Sequence, residues 1–310
     1  MKKKCCVFGG SGFIGRHLVH TLSKDLSRSV FSINRNLVET KDKLLNVDYV
    51  KGDIGDEFFL REILKDAHEV IDLVYATNPK TSFDNPLEDI VLNLPANVNL
   101  LRLTSCFPSI RYLMVSSGGT VYGNAIELPI KEDHPTNPIS PYGITKLALE
   151  KYALMYRALS GLDLIIVRPG NPYGSSQSSN HGQGFIAAAT EAFRHSKQLY
   201  VYGKKGTVRD YIYIDDLVEG VISALNYGVS GEIYNIGTGV GLNNMDVIEI
   251  ISKIFDRVGK ANIVNLDPRP FDVPSNILCS EKLFQVSGWR SKISIINGIE
   301  LSSSQMIFTA

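Results

Sequence analysis

The chain is short of cysteine, with four in 310 residues, and that excludes a disulfide framework as the source of stability. Nor does any Cys-x-x-Cys or Cys/His pair fall at metal-ligand spacing. The six histidines are scattered, so no metal site is expected. Neither sign of charge is in excess: Lys+Arg is 32, Asp+Glu is 32, and the formal net charge is zero. The basic surplus of a nucleic-acid binder is missing, and no nucleic-acid partner is expected. No apolar run approaches the roughly 18 residues of a membrane span, so no membrane partner is expected either. The opening Met-Lys-Lys-Lys is followed by an apolar stretch only at 5–8, too short for a signal-peptide core. A reducing, cytoplasmic location is the expectation. With 44% hydrophobic and 21% charged residues, the composition is that of a folded domain rather than a disordered tract.

What is present alternates. Short apolar runs at 5–8, 30–33, 49–50, 70–75, 112–115 and 164–167 read as strands. Between them Ile14, Leu18 and Leu22 recur at helical spacing, as do the apolar residues of 58–64 and 140–156. Leu87, Ile90, Val91, Leu94, Val98 and Leu101 form another helical stripe, with Pro95 as a kink. Continuous apolar strands separated by helices imply an α/β fold, a doubly wound Rossmann-type parallel sheet covered on both faces. After Pro169 the texture changes. Residues 171–184 read as a loop rich in Gly, Ser, Asn and Pro, and 232–236 as a strand returning to the main sheet. We therefore expect one domain over 1–170, with that strand returning near 232–237, and the glycine turn at 9–15 makes it a dinucleotide-binding domain by expectation. Residues 171–310 should be mostly a smaller C-terminal substrate-binding lobe.

Two motifs carry chemistry. Gly9-Gly10-Ser11-Gly12-Phe13-Ile14-Gly15 joins the first strand to the first helix. Such glycines permit a tight turn and let a pyrophosphate approach the helix N-terminus. The second strand ends Ile33-Asn34-Arg35, where an NAD site would carry a carboxylate for the ribose 2′-hydroxyl. Asn34 and Arg35 point instead to NADP or to relaxed use of NAD(P), or Arg35 is a solvated loop residue. Asp53, followed by Ile54, either accepts from the adenine amino group or caps the next helix. In Tyr142-Gly143-Ile144-Thr145-Lys146, positions i and i+4 share a helix face. A phenol titrates too high to serve as a base at neutral pH, and a nearby ammonium should lower its pKa.

These motifs, with Ser116-Ser117 at a strand end, stand in the order of a short-chain dehydrogenase/reductase. The chain resembles the extended branch of that superfamily, the NAD-dependent epimerase/dehydratase family, and in particular nucleotide-sugar 4-epimerases and 4-keto-6-deoxyhexose reductases. The resemblance implies a bound NAD or NADP, a nucleotide-sugar substrate lying between the lobes, and a homodimer formed through two helices per subunit. It implies that Gly9, Gly12, Phe13, Ile14, Gly15, Asn34, Arg35, Asp53, Ile54, Asn93, Tyr142 and Lys146 hold the cofactor. Tyr142 would exchange the proton of the sugar C4 oxygen. Lys146 would tune that phenol, and Ser117 or Thr120 would bond the C4 oxygen. Asn171, Arg209 and Arg269, the last two within Arg209-Asp210-Tyr211 and Arg269-Pro270-Phe271-Asp272, would bind the nucleotide sugar.

The chain also departs from the family pattern. The expected hydroxyl residue before Val121-Tyr122-Gly123 is Gly118. The Asp-Glu pair of dehydratases is absent from this segment. The small residues usual after the fourth strand are replaced by Val74-Tyr75, and the usual Gly-Thr of the fourth helix reads Ala96-Asn97. Asp215-Asp216 reads as a helix cap, and His181 as a loop residue near the substrate side. Gly118 and Asn34 favour reduction of a dTDP- or UDP-4-keto-6-deoxyhexose to the 6-deoxyhexose. The alternative is a 4-epimerase of UDP-hexoses, glucose/galactose or their N-acetyl forms. A non-catalytic dinucleotide-sensing protein comes third.

Overall fold

Apolar β-branched runs and amphipathic helices alternate from the first residues, and the chain folds accordingly. The computed structural model describes residues 2–36, 43–177, 184–255 and 261–307, with side chains to 303. The elements run β1 (Lys3–Phe8), α1 (Phe13–Leu22), β2 (Arg28–Asn34), β3 (Val47–Lys51), α2 (Glu57–Leu64), β4 (Glu69–Asp72), α3 (Pro79–Asp84), α4 (Pro86–Thr104), β5 (Arg111–Val115), α5 (Pro141–Ser160) and β6 (Asp163–Pro169). They continue with β7 (Asn171–Tyr173), α6 (Phe185–Arg194), β8 (Gln198–Tyr202), β9 (Val208–Tyr213), α7 (Ile214–Tyr227), β10 (Ile233–Ile236), β11 (Gly241–Leu242), α8 (Asn244–Ile254), β12 (Asn262–Leu266), β13 (Ser275–Asn276), α9 (Glu281–Ser287) and α10 (Ile295–Ile307).

The main sheet has the order β10-β6-β5-β4-β1-β2-β3, and its pairs from β6 to β3 are parallel. This is the doubly wound Rossmann-type α/β fold expected from the sequence. The order reverses between β1 and β4, and ligands of such sheets bind beyond the strand ends at that switch point. Phe8 pairs with Ile33 on one side and Asp72 on the other, so Gly9 and Leu73 open on the switch. Alternate residues Cys6 and Phe8 pack with Leu60, Leu100, Tyr112, Leu149 and Ile166 in one buried cluster. Cys5 and Val7 are equally buried. A strand buried on alternate residues throughout is covered on both faces.

The chain divides into two compact units. The first comprises 1–117, 141–168 and 221–234, and the second 118–140, 169–220 and 235–310. In the second, β9 pairs with β7, β11 and β13, and β8 pairs with β12. Asp210, wholly buried, organises this unit by accepting from the amides of Thr238, Gly239 and Leu278 and from the Thr238 hydroxyl.

Three local expectations need correcting. The fourth strand stops at Asp72 rather than Tyr75, because Asp72 Oδ1 accepts the Val74 amide at 3.0 Å and turns the chain out of the ladder. The stretch after residue 170 holds a short strand, β7, where a loop was expected. The stripe on α4 holds only in its second half, where Leu101 is buried and Leu94 and Val98 pack against the core; the first turns run contrary to polarity. Asp89, Asn93 and Asn97 are inside, at 0%, 1% and 2% exposure, while Leu87 and Val91 are 74% and 68% exposed. The buried amides are satisfied along the helix, Asn97 Nδ2 donating to the Asn93 carbonyl and Asn93 Nδ2 to the Asp89 carbonyl, both at 2.8 Å. Pro95 lies inside this helix. Asp215 and Asp216 lie in the first turn of α7, and Asp216 Oδ2 accepts the amides of Lys292 and Ile293. His181 lies outside the described residues.

Candidate active site

The first turn is built almost entirely of backbone. Gly9 sits at φ +81°, where an L side chain is strained. The Gly12 amide donates to its carbonyl at 3.0 Å. A Cβ on Gly15 would run into the Gly9 carbonyl and the Gly10 backbone, so only glycine lets α1 start this close to the loop. The N-cap is Gly12, which brings no capping side chain, and no acidic residue lies in the first turn. The amides of Phe13, Ile14 and Gly15 therefore face outward at the positive end of the helix dipole. An uncapped first turn closed by glycine fits a dinucleotide pyrophosphate.

Asn34 is buried and committed to this loop. Its Oδ1 accepts the Ser11 amide at 2.7 Å, and its Nδ2 donates to Ser32 Oγ at 3.1 Å. Arg35 beside it is exposed. Asp53 Oδ1 accepts the Gly55 amide at 2.8 Å, and the cap of α2 is Asp56, which accepts from Phe59. The capping alternative for Asp53 therefore falls away. Ile54 beside it is buried.

The second cluster is built of side chains. Pro141 opens α5, where proline's missing amide costs nothing. Tyr142 follows, its amide donating to Ser82 Oγ at 3.2 Å. One turn on, the buried Lys146 Nζ donates to the Val115 carbonyl at the end of β5, at 3.0 Å. It stands 6.0 Å from the centre of the Tyr142 ring and 4.2 Å from that of Tyr75. The structure thus brings Tyr142 and Lys146 together as the spacing predicts.

Their titration differs from the expectation. Burial, with Asp89 nearby, pushes the Tyr142 phenol above its ordinary value. Burial also pulls Lys146 down to about 8, against the opposing charges of Asp72, Glu150 and Asp89. In the chain by itself, desolvation outweighs whatever Lys146 does for the phenol.

Buried polar groups stand behind the pair. Asn93 Oδ1 accepts the Ala76 amide at 2.7 Å, and its Nδ2 also reaches Thr77 Oγ1. Its amide thus fastens the segment after β4 to α4. Asp72 accepts from the Tyr112 hydroxyl at 2.7 Å, and burial raises its pKa. Glu150 takes two bonds from Arg168, at 3.0 and 2.6 Å, and one from Ser116 Oγ. Ser116 is thereby occupied, while Ser117 lies half-buried just past β5. Asp72, Asp89, Glu150 and Ser82 were not singled out from sequence, because nothing local marks them. Tyr75 was visible only as a bulky residue in a small-residue position.

In the second unit, Gly118 is buried in a turn. Its amide donates to the Pro169 carbonyl and its carbonyl accepts from Asn276 Nδ2, both at 2.8 Å. Thr120 and Asn171 are half-buried. Arg209 Nη1 donates to the carbonyls of Val208 and Val273, and Nη2 lies 3.8 Å from Asp272. Burial lowers the Arg209 pKa. Arg269 stacks over Tyr202 at 3.6 Å, with Phe271 at 5.8 Å. Among the described residues no cluster of His, Cys, Asp and Glu forms a metal site, and no helix is long and apolar enough to cross a membrane.

A model of the NAD dependent epimerase/dehydratase family matches residues 5–237. The chain is 31% identical over 304 residues to a UDP-glucose 4-epimerase of Mycolicibacterium smegmatis, covering 94% of this chain and 95% of that protein. Among solved structures it is similar to the UDP-glucose 4-epimerase of Thermotoga maritima with UDP-glucose. The TM-score is 0.91 and the identity 28%, over 99% of both chains. It is also similar to the Thermus thermophilus UDP-glucose 4-epimerase in complex with NAD, at TM-score 0.89 and 27% identity, over 99% of this chain and 100% of the other.

Proposed function

The chain belongs to the NAD dependent epimerase/dehydratase family, and within it we propose a nucleotide-sugar 4-epimerase acting on a UDP-hexose. It is a nucleotide-sugar enzyme of the short-chain dehydrogenase/reductase type that uses a nicotinamide dinucleotide. The observation that carries the epimerase reading is the Tyr142–Lys146 pair at the end of β5, in a chain similar from end to end to UDP-glucose 4-epimerases.

On sequence alone the reductase comes first, and similarity to UDP-glucose 4-epimerases over the whole chain outweighs the two residues that favoured it. Gly118 is held by both of its backbone polar groups in a buried turn, and the contact to the C4 oxygen falls to Ser117 or Thr120. Asn34 orders the glycine loop. The lack of the Asp-Glu pair still speaks against dehydration.

A nicotinamide dinucleotide held by the glycine turn and Lys146 would supply hydride transfer at the sugar carbon. The protein does the rest. The first-turn amides of α1 hold the pyrophosphate. Tyr142 takes the proton of the C4 hydroxyl and gives it back after the sugar has turned over. Lys146 keeps positive charge beside Tyr142 and so favours the phenolate that accepts this proton. Ser117 or Thr120 donates to the C4 oxygen, and Asn171, Arg209 and Arg269 bind the diphosphate and nucleoside. The exposed apolar residues of α4 (Leu87, Ile90, Val91) and of α5 (Ile144, Met155, Leu159) support a homodimer through these helices.

The test supplies UDP-glucose or UDP-galactose without added cofactor and follows both sugars. Interconversion to a common equilibrium is expected. Consumption of NADH or NADPH with a 4-keto-6-deoxy sugar nucleotide, and no interconversion of UDP-hexoses, would overturn the epimerase and restore the reductase.

A further inference from the structure

One aromatic residue touches both members of the catalytic pair and has no part in the reaction described above. Tyr75 stands just past β4, at the switch point of the sheet. Lys146 Nζ lies over its ring at 4.2 Å from the centroid. The Tyr142 ring meets it edge-to-face, with centroids 4.8 Å apart and planes at 69°. The far end of Tyr75 is fixed as well. Its hydroxyl donates to Asp89 Oδ1 at 3.2 Å, and Asp89 is wholly buried. Asp89 also accepts from the Thr77 hydroxyl. The next residue, Ala76, is tied to Asn93 through its amide. The ring cannot swing away without breaking bonds to α4.

An ammonium buried as Lys146 is needs compensation for its lost hydration. One carbonyl, Val115, accepts from it at 3.0 Å. The negative face of an aromatic ring supplies more, and such contacts strengthen when desolvated. We propose that Tyr75 is a positioning residue: its ring face holds the Lys146 ammonium beside Tyr142. This deepens the reading of Tyr142 and Lys146 as the proton-handling pair and rests on it. The charged and titratable groups facing Lys146 are Asp72 from β4, Asp89 from α4, Glu150 from its own helix, and the phenols of Tyr75 and Tyr142. Of these, Tyr75 alone brings a π face to within 4.2 Å without itself moving the substrate proton.

The test compares Tyr75→Leu with Tyr75→Phe in the full chain. Leucine keeps an apolar wall and removes the π face; phenylalanine keeps the face and removes only the hydroxyl. Acetylation of Lys146 by acetic anhydride is followed across pH by peptide mass spectrometry. Only the neutral amine reacts, so the midpoint reports the charge on Lys146, while access alters only the plateau. In Tyr75→Leu the midpoint should move to lower pH, raising the neutral fraction near neutrality about three- to fivefold. Its kcat should fall by more than its KM rises. In Tyr75→Phe the midpoint should stay at the wild-type position. A purely structural role would lower thermal stability and leave the midpoint in place. An unmoved midpoint in Tyr75→Leu overturns the proposal. So does an equal shift in both variants, which would assign the effect to the hydroxyl. If Tyr75→Leu does not fold, Tyr75→Met presents a similar apolar volume and is read the same way. The labelling result is independent of the reaction. Full turnover by a Tyr142→Phe variant would overturn the functional reading of the pair and leave the labelling outcome to stand or fall separately.

Discussion

Within the first unit, the glycine turn and the Tyr142 cluster are made of different material. At the first turn, backbone does the work: a positive-φ glycine, a glycine that admits no Cβ, and bare helix amides. At the other end, around Tyr142, side chains from β4, α4, α5 and β6 converge, and almost every contact joins residues far apart in sequence. A backbone-built site tolerates few substitutions but carries no titratable group of its own. A side-chain-built site can be tuned by charge and burial, and it can be broken one atom at a time. The following changes probe that contrast.

The largest effect belongs to the side-chain end. Tyr142→Phe removes a single oxygen. Turnover should fall by about 10²–10⁴, the usual share of general acid–base catalysis. Thermal stability should hold, because the amide bond to Ser82 and the ring contact with Tyr75 survive. Steady-state kinetics with a melting curve checks both halves, and near wild-type turnover would remove Tyr142 from the mechanism.

Next comes the support beneath it. Glu150→Gln keeps the shape but leaves Arg168, at 2% exposure, facing a neutral amide. Breaking a buried ion pair by removing one partner costs about 3–5 kcal/mol. Denaturant unfolding should show a loss of that order. A loss below about 1 kcal/mol would mean that water reaches Arg168.

The third contrast is pH. Lys146, with a pKa lowered to about 8, is charged below that pH and neutral above it. The pair works only while Lys146 is charged, so kcat/KM, which reports the free enzyme, should fall toward tenfold per pH unit as pH rises past about 8. Affinity for ADP, which reaches the glycine turn but carries no nicotinamide, should stay flat over the same range. A parallel fall in both would place the titrating group at the backbone end.

The contrast also explains what the sequence shows by itself. Glycine spacing is local, so the first turn is legible from Gly9, Gly12 and Gly15, and the Tyr142–Lys146 pair is legible because four residues make one helical turn. The return of 232–236 to the main sheet was expected, and its place beside β6 comes from the structure. Other features need the third dimension. The inside-out polarity of α4 is hidden because Asp89 and Asn93 face inward for the sake of partners at 75–77. The apolar residues of the first turns, Leu87, Ile90 and Val91, then face outward. The place of Gly118 is set by Pro169 and Asn276, and the upward push on the Tyr142 phenol by burial that no spacing reveals.

The smallest effect probes the backbone end through the one side chain it depends on. Asn34→Asp should preserve the loop. The carboxylate still accepts the Ser11 amide that Asn34 Oδ1 now holds at 2.7 Å. The lost donation to Ser32 Oγ can be reversed, since a serine hydroxyl both donates and accepts. What changes is charge at the end of β2, where an acid favours the ribose 2′-hydroxyl of NAD and repels the 2′-phosphate of NADP. A single charge interaction at the end of β2 should change relative affinity by roughly two- to tenfold, about 0.5–1.4 kcal/mol. Titrating both cofactors against both proteins should therefore show preference moving toward NAD by that factor, with Arg35→Ala weakening NADP alone. If Asn34→Asp leaves the ratio unchanged and Arg35→Ala weakens neither cofactor, selectivity does not reside at the end of β2. The side chain of Asn34 would then serve only to hold the glycine turn in shape, and the backbone end would be without charge selection altogether.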